Sequence, residues 1–166
     1  MCSSQAAAVK LRTTIAADVT LEACYQVRRP AIDQPAHRGF QSLSRERYPD
    51  IVVTLDSPSA KRFLVFDAKY RSARASVLDA MESAHIYHDS LQWKGIKPDV
   101  SLLLIPRADK VMSLVSPTYH ADYGVGAWQI GAESEGEALG VELKRILSAV
   151  SIAAALARTV TTGAAK

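Results

Sequence analysis

Asp50 and Asp67 are separated by sixteen residues, and Lys69 lies two beyond the second carboxylate. The stretch between them reads as two apolar runs, Ile51 to Leu55 and Phe63 to Asp67, around a polar turn, Asp56-Ser57-Pro58-Ser59. In a hairpin the start of one strand lies beside the end of its partner, so the two carboxylates are predicted to meet. Residues two apart on a strand share a face, which brings Lys69 to the same place. Paired hard oxygen ligands suit Mg²⁺, which keeps open positions for water and a phosphate oxygen. Such a cation lowers the pKa of its water and screens charge that builds on phosphorus. Lys69 would position or help deprotonate that water, or stabilise the charged phosphate. The Ala68 carbonyl is a further candidate metal ligand. The same residues also have a purely structural reading, as an ion-pair network in a hairpin where isolated buried charges would be costly.

Pro49-Asp50 followed by Asp67-Ala68-Lys69 resembles the PD-(D/E)xK signature of the restriction-endonuclease-like fold. The longer run SLSRERYPDIVVTL…FLVFDAKYR, followed by ESAHIYHDSL, is similar to the nuclease domain of McrC-type restriction subunits, over roughly residues 20 to 106. The resemblance implies metal-dependent phosphodiester hydrolysis, with Mg²⁺ or Mn²⁺ held by Asp50 and Asp67, and Lys69 as catalytic base or charge stabiliser. It also implies bacterial defence against foreign DNA. DNA would be the partner, with a homodimer or a larger complex containing an NTPase subunit as the assembly. The alternative is a catalytically silent nuclease-like subunit that binds DNA or holds such a complex together.

Proteins of that fold usually place a helix, often with an acidic ligand, before the hairpin strands. Here no amphipathic helix precedes Val9, so Glu22 or Glu46 is the candidate third carboxylate, unless a partner supplies it or the chain is a fragment. After Lys69, residues 75–93 have a helical pattern ended by Gly95 and Pro98. With Met81 at the centre of its buried face, a turn of about 100° per residue puts His88 near −20° and His85 near +40°. Relatives of the fold it resembles carry a polar motif, often Gln or His followed by Tyr, at this distance after the lysine, and the resemblance makes His85 a candidate contact to phosphate or to metal-bound water, set against an ordinary hydrogen-bonded core histidine. Tyr87, near −120° on the same wheel, is a candidate DNA or packing residue.

The remaining elements must position these groups. Val9 to Ile15 and Val19 to Val27 alternate apolar and polar residues and read as a hairpin. Residues 30–48 read as a loop. Val100 to Ile105 and Tyr123 to Ile130 read as strands, Tyr119-His120-Ala121-Asp122 as a polar surface loop, and Trp93 and Trp128 as core. Ser134 and Glu137 in capping-box spacing open a long Ala-rich helix over residues 134–159, which would cover the sheet or form a subunit contact. The order predicts an α/β domain with a mixed central sheet flanked by helices.

Composition agrees with one globular domain over residues 1–166, at 48% hydrophobic and 22% charged residues with a net charge of +3. Disorder would need fewer apolar residues. Residues 1–75 carry a net +5 and residues 76–166 a net −2, an asymmetry that suits a polyanion and makes Arg47, Arg71 and Arg74 candidate nucleic-acid contacts. Cys2 and Cys24 have neither disulfide nor zinc spacing, which fits a reducing cytoplasm. The longest apolar run is far short of the roughly 20 residues of a membrane span. No Walker loop, dinucleotide-binding glycine pattern or nucleophile elbow occurs.

Overall fold

The computed structural model describes residues 10–16, 19–108 and 111–131. Among these, six strands form one mixed sheet: β1 (Lys10–Ala16), β2 (Val19–Tyr25), β4 (Ile51–Asp56), β5 (Lys61–Ala68), β7 (Val100–Pro106) and β8 (Val125–Ile130), in the order β1-β2-β4-β5-β7-β8. The first four are antiparallel neighbours, and β5, β7 and β8 run parallel. Parallel neighbours need a crossover; between β5 and β7 it contains helix α1 (Arg74–Ser90), whose span holds neither Gly nor Pro. The α/β fold with a mixed central sheet and helices is the arrangement expected from the sequence.

The β4–β5 turn sets the register that matters. The Ser57 hydroxyl donates to the Ala60 carbonyl at 2.9 Å and accepts from the Ala60 N–H at 3.0 Å, while the Ser57 N–H bonds the same carbonyl at 3.0 Å. The ladder then runs from Asp56 opposite Lys61 to Ile51 opposite Phe66. Val52, Phe63 and Val65 point to one face of the sheet, where they pack with Phe40, Leu91 and Trp93. On the same face Val77, Ala80, Met81 and Ala84 of α1 bury against Leu103, Ile105, Val125 and Ala127. Leu64, Phe66, Val100 and Leu102 form a separate buried cluster with Ile51, Val53, Leu104 and Trp128 packed beside it.

Four sequence expectations change. The helix stops at Ser90 instead of running to residue 93, and Leu91–Trp93 becomes strand β6, paired antiparallel with β3 (Phe40–Ser42) inside the segment expected to be a loop. The side chains decide this: extended backbone lets both Leu91 and Trp93 point inward, where Trp93 stacks on Phe40 at 5.8 Å and meets Phe63 edge-on at 6.3 Å. Residues Tyr119 to Asp122 belong to helix α2 (Pro117–Tyr123), not to a surface loop, and His120 is buried with Nε2 2.8 Å from the Leu114 carbonyl. Pro117 opens that helix and Gly124 closes it at φ 66°, a left-handed position suited to glycine. Finally, β2 ends at Tyr25, because Gln26 turns to φ 46°. The predicted helix over 134–159 lies outside the described residues.

Candidate active site

Asp50 and Asp67 occupy the step just beyond the Ile51–Phe66 pair, at the open end of the hairpin. Alternation along both strands turns them to the face that carries α1. Asp67 is buried, at 3% exposure. Its Oδ2 is 2.7 Å from the Lys69 Nζ and accepts a hydrogen bond from the Ser83 hydroxyl at 2.7 Å. Asp50 accepts from the Ala68 N–H through Oδ2 at 2.8 Å and from the Gln26 amide through Oδ1 at 3.3 Å. The Lys69 N–H bonds the Leu104 carbonyl at 2.8 Å, tying the end of β5 to β7. In extended backbone the N–H and C=O of one residue face the same side, so the Ala68 carbonyl is turned toward the Asp50 edge.

Helix α1 closes the site from above. Ser83 and Tyr87 are one turn apart and share a helix face. The Tyr87 hydroxyl donates to the Tyr48 carbonyl at 3.3 Å. Burial, reinforced by the negative charges of Asp67 and Asp50, pushes the Tyr87 phenol up to about 12, while Arg47 pulls it the other way. Lys69, Arg71, Asp79, Ala80, Glu82, Ser83 and Ile86 line an adjoining open cleft of about 210 Å³.

The candidate residues divide clearly. Asp50, Asp67, Ala68, Lys69 and Tyr87 come together, and Arg71 lines the cleft. Arg47 is half-buried with its Nη2 3.3 Å from the Ser44 Oγ, and Arg74 is exposed at the start of α1. His85 is placed elsewhere. It is exposed and does not line the cleft. Residues two positions apart on a helix lie about 200° round its axis from each other, so the turn that aims Ser83 at Asp67 aims His85 away. The buried stripe of Val77, Ala80, Met81 and Ala84 is centred to one side of Met81, and that offset moves His85 off the packed face. Ser83 carried no charge to draw notice; its signal was the four-residue spacing to Tyr87.

Neither candidate third carboxylate reaches the pair. Glu22 lies opposite Thr54, four residues along β2 from Gln26, a separation of roughly 13 Å at strand spacing; it accepts from the Cys24 thiol at 3.3 Å. Glu46 is held by Tyr48 and Arg28, whose hydrogen bonds keep its carboxyl below the usual range. Among the described residues there is no group of three or more His, Cys, Asp or Glu arranged to hold a metal. Two carboxylates and a backbone carbonyl still fit Mg²⁺, which commonly takes one or two carboxylates and keeps several waters.

A mixed sheet whose opposed carboxylates and lysine gather at the end of a hairpin defines a restriction-endonuclease-like nuclease core. The sequence model of the PD-(D/E)XK nuclease superfamily matches residues 3–95, more than half of the chain, and the protein belongs to that superfamily. Divalent metals are the usual cofactors of these nucleases. No match was found among curated proteins or among solved structures. No helix among the described residues is long and apolar enough to cross a membrane.

Proposed function

We propose that the protein is a Mg²⁺-dependent endodeoxyribonuclease, with Mn²⁺ as a substitute, whose metal is held by Asp50, Asp67 and the Ala68 carbonyl. The observation that carries this reading is the placement of Asp50 and Asp67 on one face, one step past the ladder, with Lys69 2.7 Å from Asp67. A divalent cation bound there would acidify a water and offset charge on the phosphate. Lys69 has three N–H donors and spends one on Asp67, leaving others for a phosphate oxygen or the attacking water. Arg71, which lines the cleft, together with Arg47 and Arg74, offers cationic contacts to the DNA backbone. Tyr87 flanks both carboxylates as a neutral phenol. The McrC-like sequence run supports a cytoplasmic role in restriction or anti-phage defence, as a homodimer or with an NTPase subunit.

A second reading is favoured by the commitment of Glu22 and Glu46 to other partners: a nuclease-like DNA-binding or scaffold subunit that cuts poorly or not at all. Cleavage of supercoiled plasmid and of single-stranded DNA, with Mg²⁺, Mn²⁺ or EDTA, separates the two. Nicking that needs metal and falls by at least about 100-fold in a folded Asp67→Asn variant is expected. Mn²⁺ binding through Asp67 without cleavage would favour the scaffold. Absence of both would overturn the metal site.

A further inference from the structure

We propose that Ser83 is a positioning residue for the metal site, fixing the Asp67 carboxylate so that Oδ1 is the oxygen presented to the cation. The inference rests on the metal-centre reading above and assigns a role within it. Two independent donors converge on Oδ2, the Lys69 ammonium and the Ser83 hydroxyl, each at 2.7 Å. Among the described residues no hydrogen bond reaches Oδ1. With one oxygen doubly engaged, the lone pairs of the other are those left for an incoming ligand.

The Ser83 hydroxyl has a choice of acceptor that sharpens the argument. It lies 2.9 Å from the Ala80 carbonyl, one turn back on α1, as well as 2.7 Å from Asp67. It has one proton to give. The Ala80 carbonyl already serves the helix ladder, whereas the carboxylate is charged and the stronger acceptor. The proton therefore goes to Asp67, and a rigid helix buried on the sheet face holds one of its two oxygens. Lys69 cannot do this alone, because its flexible stem and part-exposed ammonium, 32% accessible, leave the carboxylate plane free to rotate.

The inference separates from simple packing through the metal itself. Mn²⁺ binding, followed by calorimetry and electron paramagnetic resonance, would be compared in the wild type, Ser83→Ala, Ser83→Thr and Asp67→Asn. Ser83→Ala is expected to weaken Mn²⁺ by about tenfold or more, the range for lost outer-shell partners of metal ligands. It should still fold, because Asp67 keeps its Lys69 partner and Ala favours helix more than Ser, although its thermal midpoint should fall by the loss of one hydrogen bond. Ser83→Thr, which keeps the hydroxyl, should recover most of the affinity. Wild-type affinity in Ser83→Ala, or equal weakening in Ser83→Thr and Ser83→Ala with both folded, would overturn the positioning role. Failure of the wild type to bind Mn²⁺, or undiminished binding by Asp67→Asn, would instead overturn the metal-centre reading and this inference with it.

Discussion

Asp50 reaches across the end of the hairpin to accept the Ala68 N–H at 2.8 Å, so that one carboxylate holds the backbone between the other carboxylate and Lys69. The contact couples the geometry of Asp50 to that of Asp67 and Lys69. Both acids thus have one role in holding the site together and one available for chemistry, and substitutions there need a folding control.

Lys69 and Asp67 should separate in their effects. Lys69→Met removes the ammonium but keeps a stem that packs, and Asp67 retains the Ser83 hydrogen bond. Turnover should fall by about 100-fold or more, the scale for a lost charge-stabilising group, while Mn²⁺ affinity changes far less. Single-turnover cleavage beside a Mn²⁺ titration checks this, and equal losses in both would make Lys69 a structural partner of the metal site.

Tyr87 predicts a change of stability at high pH. Its phenol is raised from 10.0 to about 12 by burial first and by Asp67 and Asp50 next. Between those values the unfolded chain gives up a proton that the folded chain retains, so the folded state binds more protons and stability declines as pH rises. Below pH 10 the group contributes no slope. Thermal midpoints of the wild type and Tyr87→Phe, measured from pH 9 to pH 12, should diverge only above about pH 10, with the variant falling less steeply.

Arg29 is a buried cation whose charge should cost little to remove. It is 1% exposed, its guanidinium lies 3.9 Å from the Phe40 ring centroid, and Nε and Nη2 have no hydrogen-bond partner among the described residues. Burial pulls its pKa down to about 10. Arg29→Met removes a charge that burial penalises and keeps a chain that can pack on Phe40, so it should melt near the wild type. Arg29→Ala should melt lower, because it also removes the packing against Phe40. Calorimetry on the two variants distinguishes lost charge from lost volume.

His85 tests the orientation of α1. Its exposed position away from the Ser83 face predicts that His85→Ala changes cleavage by no more than about twofold, the scale of an ordinary surface substitution. A large loss of cleavage, with folding intact, would mean that the helix presents a different face to the substrate.

Much of this arrangement was determined by local sequence. The runs Ile51 to Leu55 and Phe63 to Asp67 are long enough, apolar enough and separated by a turn tight enough to define a hairpin, and hairpin geometry alone brings Asp50 to Asp67 and Lys69. Pattern could not decide where α1 ends, because Leu91 and Trp93 suit a helix or a strand equally until Phe40 and Phe63, distant in sequence, supply the pocket they fill. Nor could it decide which helix residue faces the carboxylates. On a wheel, Ser83 and His85 are both polar residues beside an apolar stripe, and the histidine has the richer chemistry. The packing of Val77, Ala80, Met81 and Ala84 onto the sheet sets the rotation of the helix about its axis, and that rotation, a property of the assembled core, gives Asp67 a serine for its partner.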